Sequence, residues 1–161
     1  MAQAMIHPII KKGYQPEEKI SIFDVSTKVT KGLRKEFPNI QIAESITQAV
    51  TDADCIILAV KPQNIKEEFF EQFPKDKLRD DATMISILAG KAIDEFKPSG
   101  IPKIVRAMPN TPASIGEGMT VWSCTPNLTP HERDQIKKVL STFGKAVSTV
   151  STCRRCKRPP C

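Results

Sequence analysis

Three apolar runs, each cut off by a proline or a glycine, constrain this 161-residue chain more than anything else in it. Cys55, Ile56, Ile57, Leu58, Ala59 and Val60 form the first, which stops at Lys61-Pro62. Met84, Ile85, Ser86, Ile87 and Leu88 form the second and stop at Ala89-Gly90. Ile104, Val105, Arg106 and Ala107 form the third and stop at Met108-Pro109. Continuous apolar runs of this length suit strands covered on both faces, as in parallel sheets. Proline lacks an N–H and fixes φ, so the strand is expected to end where it enters. In open α/β sheets the loops at the carboxyl ends of such strands are where ligands bind.

Helical patterns alternate with these runs. Met1, Met5, Ile6, Ile9 and Ile10 fall on helical spacing over residues 1–12, with Pro8 inside and Gly13 after. Residues 19–23 alternate as a strand ended by Asp24, and 27–37 read as a helix with Val29, Leu33 and Phe37 on one face. Ile40 and Ile42 mark a short strand. Ser45 with Gln48 forms a capping-box pattern for a helix through Val50. Pro62 suits a first helical turn, with Ile65, Phe69, Phe70 and Phe73 as its apolar stripe. Residues 91–97 read as a short helix and 118–122 as a strand. Thr129 and Glu132 cap a helix over 130–143 that buries Ile136, Val139, Leu140 and Phe143, and Ala146-Val147 reads as an edge strand. Strands and helices in alternation predict an α/β fold with a doubly wound parallel sheet. The pattern stops near Ser148. Residues 1–147 are one domain by this reading, and 148–161 a small, polar and basic tail expected to be disordered.

Composition narrows the function. The chain is 40% hydrophobic and 26% charged, as an ordinary globular domain is. No apolar run reaches the roughly 20 residues needed to cross a bilayer, so no membrane role is expected, and a cytoplasmic location is the default. The net charge of +6 draws on Arg154, Arg155, Lys157 and Arg158, all in the tail. With one Trp and one Tyr, no basic stripe carries interleaved aromatics, and nucleic acid is not the expected partner. Cys153, Cys156 and Cys161 supply three local thiols where structural zinc needs four ligands. His7 and His131 have no third partner nearby in sequence. No metal site is expected.

The stretches Ala-Val-Lys-Pro-Gln at 59–63 and Met-Pro-Asn-Thr-Pro-Ala at 108–113 resemble one family closely, pyrroline-5-carboxylate reductase. The resemblance covers residues 1–147. It implies an oxidoreductase that reduces 1-pyrroline-5-carboxylate, a cyclic imine, to L-proline with NADP or NAD as cofactor, and a homo-oligomer. It also implies that Met1 falls just after the family's glycine loop, so that the sheet is an incomplete Rossmann type lacking its first strand. Two neighbouring strands would then carry unpaired edges. The family's helical dimerising domain has no counterpart here, so impaired or absent catalysis is expected of this chain. The alternative is a non-catalytic fragment that binds full-length reductase as a decoy.

Site residues follow strand end by strand end. The resemblance implies that Ala59, Val60, Lys61 and Pro62 pass beside the cofactor's ribose and nicotinamide. A lysine at that point is otherwise a solvated helix-start residue. Ser86, Ala89 and Gly90 match the family's Ser-x-x-Ala-Gly turn, so the resemblance implies that Ile87, Leu88, Ala89 and Gly90 lie against the cofactor; a tight turn needing glycine is compatible with this. Asp24 ends the second strand of the fold, where an acid accepts from the adenosine 2′-hydroxyl and favours NAD. Ser26 and Lys28 close by suit a 2′-phosphate instead, and Asp24 and Ser26 are also good helix caps. Asn110 and Thr111 are the polar candidates near the nicotinamide and the substrate. No catalytic proton donor is assigned.

Overall fold

A computed structural model describes residues 2–65, 67–110 and 118–149. The chain opens with α1 (Ala2–Lys11), then a 3₁₀ turn at Glu17–Lys19, β1 (Ser21–Ile22), α2 (Thr27–Glu36), β2 (Gln41–Ile42) and α3 (Ile46–Val50). It continues with β3 (Cys55–Leu58), a 3₁₀ turn at Pro62–Asn64, α4 (Glu67–Glu71), β4 (Thr83–Ser86) and a 3₁₀ turn at Ile93–Ser99. It ends with β5 (Lys103–Pro109), β6 (Gly118–Cys124), α5 (Pro130–Ser141) and β7 (Gly144–Ser148). The short segment expected to be a helix at 91–97 is thus a 3₁₀ turn. The strand expected over 19–23 shrinks to two residues, because Glu17, Glu18 and Lys19 coil into their own turn first.

Two sheets result. β1 and β2 pair in parallel, and the second sheet has the order β3-β4-β5-β6-β7. β3, β4 and β5 are parallel, as their apolar runs require. β6 then pairs antiparallel with β5, and β7 parallel with β6, so the far half of the sheet runs the other way. Among the described residues β1 and β3 each stand at one end of their sheet.

Alternating side chains place the core on both faces of the larger sheet. Ile85, Val105, Ala107 and Trp122 pack with Met5 and Ile9 of α1 and with Ile136, Leu140 and Phe143. Ile56, Leu58, Met84 and Ile104 pack on the opposite face with Ile65, Phe70, Phe73 and Phe96. Of the helix stripes read from sequence, that of α5 is fully buried, while Ile6, Ile10, Val29 and Phe69 are half-buried at the margins of theirs and Met1 lies outside the described residues. β1 and β2 lie by a smaller cluster, Leu33, Phe37 and Ile40, against which Ile6 and Ile10 of α1 also pack. Ile20 packs against both this cluster and the first.

Local chemistry fixes several ends. Thr129 accepts from the Glu132 N–H, and the Glu132 carboxylate accepts in return from the Thr129 N–H at 2.8 Å, closing the capping box on α5. Ser45 accepts from the Gln48 N–H at 3.1 Å, but the Gln48 side chain reaches past it to the Glu44 N–H. Gly144 has φ +129°, and a Cβ there would stand 2.0 Å from the Gly118 carbonyl oxygen, so β7 meets β6 at a point only glycine fits.

The strand expected to stop at Ala107 runs on through Pro109. Antiparallel ladders alternate hydrogen-bonded and non-bonded pairs. Asn110 donates its N–H to the Met119 carbonyl at 3.3 Å, which leaves Pro109, opposite Thr120, in a non-bonded pair. Its N–H position would face β4, whose pairing with β5 ends at Ser86 and Arg106. The proline therefore costs the ladder nothing.

Ser148 and Thr149, read from sequence as the start of the tail, are both bonded into the sheet. Ser148 belongs to β7, and Thr149 donates its N–H to the Trp122 carbonyl at 2.8 Å. The expectation of disorder over 150–161 lies outside the described residues, as do Cys153, Cys156 and Cys161.

Candidate functional site

The carboxyl ends of β3 and β4 are level. Leu58 pairs with Ser86, and the Ile87 N–H donates to the Leu58 carbonyl at 3.1 Å. The loops leaving those two strands therefore share one rim. The first loop carries Ala59 half-buried, Val60 exposed, Lys61 exposed and Pro62 half-buried. Pro62 starts its 3₁₀ turn at a position where a missing N–H is harmless, with Lys61 in extended backbone before it.

The second loop is pinned from below. Ser86 is fully buried, and its Oγ accepts from the Leu88 N–H at 3.3 Å. Leu88 points into the core with Phe70 and Phe96, so its side chain supports the rim and does not present itself there. Ile87 is half-buried against the other core face. What the loop shows to solvent is Ala89 and Gly90. Gly90 has φ +73° with open space around it, so the turn itself and not a close neighbour requires glycine.

The remaining candidates stand apart. Asn110 lies four residues beyond the level of Ser86 and Arg106, about 13 Å farther along extended backbone. Its Oδ1 accepts from the Met119 N–H at 2.9 Å, so that oxygen closes the β5–β6 ladder, and its Nδ2 makes no bond among the described residues. Thr111 lies outside the described residues. Asp24 and Ser26 belong to the other sheet. Asp24 follows β1, and its Oδ1 accepts from the Ser26 N–H at 2.7 Å. Ser26 is the N-cap of α2, with extended backbone and no capping bond from its own side chain.

Arg106 went unremarked in the sequence. It is a half-buried cation inside an apolar strand, level with Ser86, and its Nε is buried with no partner among the described residues. The signal was a charge within the run Ile104, Val105, Arg106, Ala107. The histidines are structural or exposed. His7 Nδ1 lies 3.1 Å from Glu36, with the ring edge-on to Phe37, and His131 is exposed beside Gln135.

Two concavities lie away from the rim. One, of about 260 Å³, sits between α5 and the ends of β6 and β7, against Trp122, Cys124 and Arg133. The other, of about 270 Å³, lies by Lys75, Arg79 and Gly100. Among the described residues no three His, Cys, Asp or Glu side chains gather as a metal site would, and no helix is long and apolar enough to cross a membrane.

A parallel α/β core with small-residue and proline loops at its strand ends has the Rossmann-type architecture. Over residues 1–90 the chain matches the family model described as NADP oxidoreductase coenzyme F420-dependent, and it belongs to that family. It is 34% identical to the pyrroline-5-carboxylate reductase of Haemophilus influenzae, over 91% of this chain and 53% of that protein. The pyrroline-5-carboxylate reductase of Coxiella burnetii superimposes with a TM-score of 0.81 at 24% identity, covering 94% of this chain and 56% of that one. The Plasmodium falciparum pyrroline carboxylate reductase, solved with NADP bound, superimposes at 0.75 and 23% identity, over 91% of this chain and 53% of that one. At these identities the structural likenesses establish the fold. The chain spans about half the length of the relatives it matches.

Proposed function

We propose that this chain is the dinucleotide-holding part of a pyrroline-5-carboxylate reductase, and that it binds NAD(P)H across the β3 and β4 strand ends. The observation that carries the reading is the shared rim: Leu58 and Ser86 are in register, so Lys61-Pro62 and Ala89-Gly90 face the same space.

The residues present fit the group in parts. Small and proline residues on the rim let a flat ring approach backbone, and the left-handed Gly90 turn keeps a side chain out of its way. The exposed Lys61 ammonium favours an anionic ligand. Asp24 offers a carboxylate for a ribose. No glycine-rich phosphate turn lies among the described residues. When bound, the nicotinamide supplies a hydride to the imine carbon, while a proton goes to the imine nitrogen. This chain's part is to orient the ring and to exclude water with Val60 and Pro62. No described residue is assigned the proton.

Calorimetry with NADH and NADPH tests this, alongside cofactor oxidation in the presence of 1-pyrroline-5-carboxylate. Dissociation constants on the order of micromolar that weaken in Lys61→Ala and Gly90→Val are the expected result. A folded chain that binds neither nucleotide refutes the reading.

A further inference from the structure

Resting on that reading, we infer that Asp24 makes this chain select the cofactor without a 2′-phosphate, NADH over NADPH. The family model is described by NADP, and the Plasmodium relative was solved with it, so the inference departs from both.

The argument starts at the end of β1. Asp24 is half-buried, and its Oδ1 is held on the Ser26 N–H at 2.7 Å. That bond does two things. It fixes the carboxylate in place, and it uses a backbone donor at the start of α2 that an incoming phosphate would otherwise take. The second oxygen, Oδ2, has no partner among the described residues. A ribose carrying free hydroxyls meets an acceptor there, and a carboxylate accepting a hydroxyl proton is a short, charge-assisted bond.

A 2′-phosphate meets the same oxygen as a like charge. Phosphate monoesters carry about −1.5 to −2 at neutral pH, and like charges in a partly buried site repel more than they would in bulk water. Among the described residues no ion pair neutralises Asp24. The cation nearest in sequence, Lys28, is exposed on the first turn of α2, where water screens most of its attraction.

Val25 is the second observation. It stands between Asp24 and Ser26 with 87% of its surface exposed, the most exposed large hydrophobic residue among the described residues. An apolar side chain so placed is covered when an adenosine lies against it, and it offers a phosphate nothing. Carboxylate and valine together describe a surface for adenosine with a free 2′-hydroxyl.

The test measures dissociation constants of the whole chain for NADH and NADPH by calorimetry, in the wild type and in Asp24→Asn. Asparagine keeps an oxygen for the Ser26 N–H and removes only the charge. We expect NADH to bind at least about tenfold more tightly, with the ratio falling toward one in Asp24→Asn. Added salt should narrow the ratio in the wild type and not in the variant. Equal binding, tighter NADPH binding, or a ratio unchanged by Asp24→Asn overturns this inference and leaves the proposed function standing. A folded chain that binds neither nucleotide overturns both.

Discussion

The small β1–β2 sheet and the larger β3–β7 sheet grow from the same alternation of strand and helix, yet they are held very differently. β1 and β2 pair over two residues each, above the buried cluster of Leu33, Phe37 and Ile40. The larger sheet is sandwiched between two larger cores, and every residue of β4 is buried. Burial scales with the sheet a helix can cover, and local stability follows burial. The cofactor reading spans both parts, with Asp24 on the weak sheet and the rim on the strong one. The adenosine end should therefore sit on the part of the molecule that opens first.

The sharpest way to break this comparison is to empty one core at a time. Phe143 and Phe96 are fully buried on opposite faces of the large sheet. Phe143→Ala or Phe96→Ala should cost about 3–5 kcal/mol, read by urea unfolding, and should weaken the whole domain. Leu33→Ala should cost about 2–4 kcal/mol but release only β1, α2 and β2, seen as fast amide exchange there with β4 still protected. If Leu33→Ala exposed β4 equally, the two sheets would form one cooperative unit.

Gly144→Ala comes next. The added Cβ would sit on the Gly118 carbonyl at a φ that other residues avoid. A loss of about 1–3 kcal/mol is expected, with β7 amides losing protection before those of β4. Protection that fell evenly across the sheet would argue against β7 as a separable edge.

The Lys103–Glu132 pair gives a pH handle. The Lys103 side chain, helped by the Thr129 N–H, holds the Glu132 carboxyl down to about 2 from its usual 4.5. A carboxylate whose pKa is depressed in the folded state stabilises it above the unfolded value, and that stability is lost as pH falls through the folded one. Stability should thus decline between pH 4.5 and 2, with a smaller decline in Lys103→Met. Glu132→Ala should abolish this decline, because it removes the group whose pKa is depressed. Ser45→Ala, which removes the cap of the short helix α3, should have the smallest effect, about 0.5–1 kcal/mol.

Much of this was legible in the chain. Parallel strands, the apolar stripes and the Thr129–Glu132 box rest on residue types whose preference is strong and local. The rim was legible too, because proline and glycine punctuate strand ends for steric reasons. What escaped depends on partners distant in sequence. Pro109 sits comfortably in β5 only because β6 comes antiparallel and leaves it in a non-bonded pair. Gly144 is needed because its φ is +129° and because Gly118 lies against it, and neither shows in the sequence. Asn110 reads as a ligand candidate in sequence, and the bond its oxygen accepts from the Met119 N–H depends on a strand nine residues away. Nothing in the pattern of 19–23 announced that Lys19 would end a 3₁₀ turn and that only Ser21–Ile22 would pair as a strand.

Hydrogen exchange of the chain with and without NADH tests the central claim most directly. The account predicts new protection at residues 59–62 and 87–90, with a second patch at 24–26, and no change in β6 or α5. Protection confined to the concavity beside Trp122 and Arg133, with the rim unchanged in the presence of saturating nucleotide, would contradict it.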